Sequence, residues 1–191
     1  MSAKSKTDLD AMTNEQLIVY LDNLDKATFN AYVDADTKVR YFIAKYGDGI
    51  AKAIRGTKLY FSAIVALKML ESGYGRNVPF NSFNFGGIKY NPAIHSGYVV
   101  SDTTEVVNGK KVYVQAKFAK FSSAEEGIKS NIQTLLGSRY DAARNKAKTA
   151  DDQILKIAQA GYTTTPAKEY LNLMKGNIKR VRTKTGLGLI N

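Results

Sequence analysis

AIVALKMLESGYG, residues 63–75, is the stretch from which the rest of the chain can be read. Ala63 to Leu70 form its most apolar helical run, which reaches a single acid, Glu71, before Ser72, Gly73 and Gly75 interrupt it. A helix of this kind, from about Lys58 to Leu70, is expected to be central and buried. The two glycines are expected to turn the backbone sharply and leave open space beside the carboxylate. Glu71 is locally unfavourable where it stands. Apolar neighbours penalise its anion by desolvation, and the negative end of the helix dipole does the same, so both act to raise its pKa. A carboxyl group that keeps its proton beside open space is what protonation of a glycosidic oxygen requires. The other reading is a solvated glutamate followed by a plain glycine C-cap.

On the N-terminal side, residues 1–12 read as a polar tail, and Thr13 with Gln16 has the spacing of a capping box ahead of Leu17, Ile18, Leu21 and Leu24. A helix is expected over 35–46, broken by Gly47-Asp48-Gly49, with a short helix over 50–54. On the C-terminal side the pattern changes over 76–117, where Pro, Asn and Gly interrupt strand-like pieces. Asn108-Gly109 between two alternating runs marks a hairpin turn. Helix returns at Ser123, with Glu126 at the capping-box position, and further helices are expected at 138–148, 150–160 and 167–182. The fold class is α+β, mainly helical, with a small β-hairpin lobe after the central helix.

Composition narrows the chemistry. The chain of 191 residues has no cysteine and one histidine, His95. Disulfides, thiolate metal sites and a cysteine nucleophile are excluded, and a His-rich zinc site lacks partners, so neither metal nor cofactor is expected. His95 reads as a solvent-facing loop residue. Carboxylates, tyrosines and lysines remain. The net charge is +11, unevenly spread: residues 1–35 hold three lysines against six acids, and residues 36–191 hold 25 Lys/Arg against 11 acids. A body this basic suits a polyanionic partner. No secretory signal is visible at the start of the chain, and no apolar run is long enough to span a bilayer, so membrane insertion is not expected.

Five segments carry a more specific signal. Leu70-Glu71-Ser72-Gly73-Tyr74-Gly75 resembles the L-E-S-G-[WY]-G block of the glucosaminidases of glycoside hydrolase family seventy-three. Asn84-Phe85-Gly86-Gly87-Ile88-Lys89 is similar to that family's N-[LF]-F-G-I-K segment, and Thr103 to Lys110 to its T-x-E…G strand pair. Phe118 to Ser123 resembles F-R-x-Y-x-S, and Tyr162 to Pro166 resembles Y-A-T-D-P. The order and spacing match from residue 42 to about 180. Ala119, Thr163 and Thr165 depart from the family's Arg, Ala and Asp.

The resemblance implies a lysozyme-like fold that cleaves peptidoglycan after N-acetylglucosamine. It implies Glu71 as general acid, Glu105 as the second carboxylate and Tyr162 as a catalytic-site tyrosine. Asn84, Phe85, Tyr90 and Phe121 are candidates for lining a sugar groove, although Phe85 and Phe121 also read as core. The implied partner is the glycan strand of peptidoglycan, reached at the bacterial cell wall by a phage-encoded or otherwise delivered protein. The implied organisation is a helical extension over 1–41, which could pack on the body or dock a partner, a catalytic domain over 42–184 and a loose tail over 185–191. Two other readings stand beside it. One is a lytic transglycosylase or muramidase on the same fold. The other is a nucleic-acid-binding protein, suggested by the basic Lys175, Lys179, Arg180, Arg182 and Lys184, but no nucleic-acid-binding signature supports it.

Overall fold

In the computed structural model, which describes residues 4–78, 81–107 and 110–185, the apolar run becomes a central helix, α5 (Phe61–Ser72). Every residue from Phe61 to Met69 is buried. Three helices precede α4: α1 (Lys6–Ala11), α2 (Asn14–Asp22) and α3 (Lys26–Tyr32). α4 (Ala35–Ile54) packs beside α5. Two strands follow, β1 (Tyr98–Val107) and β2 (Lys110–Ala119), and then α6 (Ala124–Thr134), α7 (Asp141–Asn145), α8 (Ala150–Ile157) and α9 (Ala167–Thr185). α4, α8 and α9 pack on α5, and α6 packs on α4. One apolar core joins Val39, Phe42 and Ile50 of α4 to Ile64 and Leu67 of α5, Ile128 and Ile132 of α6, Ile154 of α8 and Met174 and Ile178 of α9. Among the described residues no helix is long and apolar enough to cross a membrane.

The expected break at Gly47-Asp48-Gly49 is absent, because α4 runs unbroken from Ala35 to Ile54. Glycine in a helix interior costs about 1 kcal/mol relative to alanine, but here it serves close packing. A Cβ on Gly47 would stand 3.1 Å from Ile43 Cγ2 and 3.7 Å from Phe61 Cζ, and one on Gly49 would stand 3.9 Å from Ile128 Cδ1. Tertiary contact therefore outweighs local propensity. The expected division between residues 41 and 42 also falls inside this continuous helix. α5 begins at Phe61 rather than Lys58, which sits at φ 60 just after Gly56 at φ 76. Its start is held from α8, where Gln153 accepts the Tyr60 N–H at 2.8 Å and donates to the Lys58 carbonyl at 3.1 Å.

Residues 1–12 are not a tail throughout. Ser5 and Asp8 form a capping box, and α1 buries Leu9 in a second apolar cluster with Leu17, Leu21, Phe29 and Tyr41. The Thr13–Gln16 box forms as expected. At α6 the capping is split. Ser123 accepts the Glu126 N–H at 3.1 Å, while the Glu126 carboxylate reaches one residue further back, accepting from Ser122 N at 2.7 Å. The strands pair antiparallel from Tyr98↔Ala119 to Val107↔Lys110. The turn expected at Asn108-Gly109 lies outside the described residues, as do residues 186–191 of the expected tail, whereas Thr185 closes α9.

Candidate active site

Glu71 stands in the last turn of α5, one residue before the final helical position. The helix stops because Gly73, Tyr74 and Gly75 all take positive φ, at 52, 58 and 81. The Gly73 N–H bonds back to Leu70 O at 3.3 Å and the Tyr74 N–H to Met69 O at 2.8 Å. Ser72 fastens the turn by donating to Lys68 O at 2.6 Å and accepting the Gly75 N–H at 2.9 Å. A Cβ on Gly73 would fall 2.4 Å from Asn77 Nδ2, and one on Gly75 would fall 2.9 Å from Tyr46 Cε2. Asn77 and Tyr46 thus fill the space that side chains at positions 73 and 75 would need, and the glycines serve the turn.

The expectation that Glu71 is desolvated is also corrected, since the residue is exposed. The buried helix ends just where the acid emerges. Solvent reaches Glu71, but its orientation is fixed from α9, where the Tyr170 hydroxyl donates to Oε1. No partner holds Oε2 among the described residues. Burial, together with the charge of Glu71 and the hydrogen bond to it, drives the Tyr170 hydroxyl well above the ordinary phenol range, so it remains a donor.

Tyr162 joins this group through backbone geometry. α8 runs on into a π-helical turn over Ala158–Tyr162, and Gly161 closes it at φ 78. The Tyr162 ring lies 6.4 Å from that of Tyr170 and 6.2 Å from that of Tyr140, which sits in a 3-10 turn over Ser138–Tyr140. Burial, then the charge of Glu71, raise its hydroxyl far above the usual value. Against its ring and hydroxyl lies Lys68, wholly buried at 0 % exposure, with Nζ 3.4 Å from the Tyr162 oxygen and 5.8 Å from the ring centroid. Burial pushes the Lys68 amine down to about 7, partly opposed by the charge of Glu71.

The structure therefore brings Glu71, Tyr162, Tyr170 and Lys68 together. Sequence reasoning missed the last two. Lys68 was legible as the one charged residue inside the apolar run, and Tyr170 only as one apolar-face position of α9. Glu105 lies on β1, its backbone paired with Val112 of β2, and its side chain is outside the described residues.

The expected groove residues divide. Asn84 is 2 % exposed and its amide is fully engaged, donating to Ile88 O at 2.8 Å and Ala119 O at 3.0 Å and accepting from Ile88 N at 2.9 Å. It ties the segment after α5 to the end of β2 instead of facing a ligand. Phe85, also 2 % exposed, is core, with its ring 4.9 Å from that of Tyr46. Phe121 is 6 % exposed and meets His95 edge-on at 5.9 Å. Tyr90 is half-buried, with its ring 4.9 Å from that of Tyr98. His95 does not simply face solvent: it is half-buried, and its Nδ1 accepts the Asn91 N–H at 2.9 Å.

A carboxylate on the end of a buried helix, steadied by a tyrosine from the C-terminal helix, with a two-stranded lobe inserted between them in sequence, is the arrangement of a lysozyme-like glycoside hydrolase domain. The chain belongs to the family described as Glucosaminidase, mannosyl-glycoprotein endo-beta-N-acetylglucosaminidase, which matches residues 47–183. It is 32% identical over 108 residues to the peptidoglycan hydrolase FlgJ of Salmonella typhimurium, covering 54% of this chain and 34% of that protein. The chain thus spans about a third of the length of the curated relatives it matches. A C-terminally truncated glycoside hydrolase domain of the same FlgJ superposes with a TM-score of 0.60 at 28% identity, over 74% of this chain and 96% of that one. The catalytic domain of the autolysin Auto from Listeria monocytogenes gives a TM-score of 0.62 at 26% identity, over 82% of this chain and 93% of that one.

Proposed function

We propose that the chain is an endo-β-N-acetylglucosaminidase that hydrolyses the glycan strands of bacterial peptidoglycan, with Glu71 as general acid. The observation that carries this reading is the placement of Glu71 within a glucosaminidase domain. It stands at the solvent-facing end of the buried helix, with Oε1 held by Tyr170 and Oε2 left for a substrate. Protonation of the glycosidic oxygen from Oε2 lets the leaving sugar depart as an alcohol, while positive charge builds on the ring at the other side of the bond. Glu105 is the proposed second carboxylate, steadying that charge or activating water. The acetamido group of the substrate is the other source of a nucleophile. Tyr162, kept protonated by its burial, is the proposed sugar-positioning hydroxyl. Tyr90 remains a proposed groove residue.

The basic body favours approach to the carboxylates and phosphates of a cell wall, where the enzyme is proposed to act. Residues 1–41 are proposed as an extension seated on the catalytic body. Its support is Arg76, in the turn after Glu71, which donates to Leu21 O at 3.3 Å and Asp22 O at 3.4 Å and also to Leu24 O.

Digestion of purified peptidoglycan tests the reading. New reducing ends of N-acetylglucosamine are expected, and Glu71→Gln is expected to release almost none. Reducing-end N-acetylmuramic acid would indicate a muramidase, and an anhydro product a lytic transglycosylase. Either would overturn the proposed bond or the proposed hydrolysis.

A further inference from the structure

Lys68 is an expensive residue to bury. It lies between Leu67 and Met69 in a helix whose other buried positions are apolar apart from Ser62 and Ser72, and none of its surface reaches solvent. An ammonium taken out of water costs several kcal/mol unless a well-placed anion compensates for it. No carboxylate is in ion-pair contact with it among the described residues. Among those residues its one hydrogen-bond partner is the Tyr162 hydroxyl at 3.4 Å, and its cation faces the Tyr162 ring. Packing alone would be served as well by methionine, which has nearly the same length and no charge to desolvate. A position that breaks the local rule this strongly, and does so beside the candidate acid, calls for a role.

Geometry supplies one. Lys68 and Glu71 are three residues apart on α5, a spacing that places both side chains on neighbouring parts of one helix face. The titratable groups around the amine are Glu71 on its own helix, Tyr162 on the π-helical turn, and beyond Tyr162 the hydroxyls of Tyr170 on α9 and Tyr140 on the 3-10 turn. Tyr162 touches the amine, Tyr170 touches the carboxylate, and the two rings lie 6.4 Å apart, so a chain of contacts joins the two groups. Burial holds both phenols in their neutral form, which among the described residues leaves Glu71 as the anion acting on Lys68.

We propose that Lys68 is a positioning residue of this site, a buried amine whose charge state is coupled to that of Glu71 and sets the pH range in which the site works. The proposal rests on the reading of Glu71 as the general acid. Glu71 favours the charged form of Lys68. Coupling of this kind is reciprocal, so the charge on Lys68 acts on the site in turn. The amine, poised near neutrality by burial, lets ambient pH reach a group that an arginine would hold permanently charged and a methionine permanently neutral.

Two measurements test this. In the first, the side-chain signals of isotopically labelled lysine are followed by NMR during pH titration of the wild type and of Glu71→Gln. The Lys68 midpoint is expected to fall by about one pH unit when the carboxylate is removed, and an unchanged midpoint would overturn the coupling. In the second, kcat against pH is recorded on soluble peptidoglycan fragments for wild type and Lys68→Met. The alkaline limb is expected to move up by about one pH unit, with KM little changed. An unmoved limb, whether the rate is preserved or uniformly reduced, would reduce Lys68 to packing. If Lys68→Met does not fold, the first measurement decides alone. Glu71→Gln run beside them separates the two ideas: retained hydrolysis would sink the general-acid reading itself, whereas an inactive Glu71→Gln with an unmoved limb sinks only the role of Lys68.

Discussion

The two sides of the candidate site are built on different principles. The helical side is fixed by depth. α5 passes through the core, Tyr170 and Tyr162 come from separate elements, and each side chain is located by packing on several others. The hairpin side is fixed by strand register and by its base. β1 pairs with β2, which also bridges Lys89 through Phe118, and Glu105 is placed opposite Val112 by the strand pairing. A two-stranded ribbon carries little burial of its own. Its anchorage comes from its base, where Tyr90 N donates to Lys117 O at 3.0 Å, Ala119 N to Ile88 O at 2.9 Å, and Asn84 joins Ala119 to the loop. The difference teaches that a group needing one exact orientation belongs on the packed side, whereas the proposed second carboxylate is carried on a ribbon.

The largest effect that would sharpen this contrast is loss of the acid. Glu71→Gln keeps shape and removes the ionisable proton, and is expected to lower hydrolysis of purified peptidoglycan by about 10³-fold or more. Glu105→Gln is expected to cost about 10²-fold and to leave measurable turnover. Equal losses in the same lysis assay would erase the distinction between the two sides. Next comes Tyr170→Phe, which removes only the hydrogen bond to Glu71 Oε1 and is expected to lower kcat about tenfold with KM little changed. An unaltered kcat would mean that packing, not this bond, orients the acid.

A smaller effect concerns stability. The Lys68 amine sits at about 7 in the folded chain against its ordinary 10.5, so between those values the unfolded chain binds more protons and stability rises with pH. Below 7 the burial cost is full, and above 10.5 it is gone. Lys68→Met is therefore expected to raise Tm by roughly 5 °C near pH 6 and by much less near pH 10 in thermal melts. The smallest expected change is in Arg76→Ala, which frees the N-terminal helices from the turn after Glu71. It is expected to cost about 1 kcal/mol in denaturant unfolding and to leave the hairpin register untouched.

Much of the fold was legible because its signals are local. Gly73 and Gly75 end α5, Thr13 and Gln16 start α2, and alternation marks the strands, all through forces that act within a few residues. Readings failed where distant contacts decide. Gly47 and Gly49 look like a break until Phe61 and Ile128 are brought against them. Ser5 to Leu9 look like a tail until the second cluster covers Leu9. Asn84 and Phe85 carry a family-like motif, and the chain uses them to brace a loop and fill the core.

By itself the sequence determined where a buried helix delivers a carboxylate, that a hairpin follows it, and which five segments tie the chain to its family. Only the tertiary structure decided what meets that carboxylate. Tyr170 stands 99 residues away along the chain and Tyr162 reaches Lys68 across 94, and no local pattern encodes such an encounter. The physical reason is that capping and periodicity are set by neighbours in sequence, whereas the burial that drives Lys68 toward neutrality, and the exposure of Glu71 one turn later, are set by which helices close over α5 and where they stop.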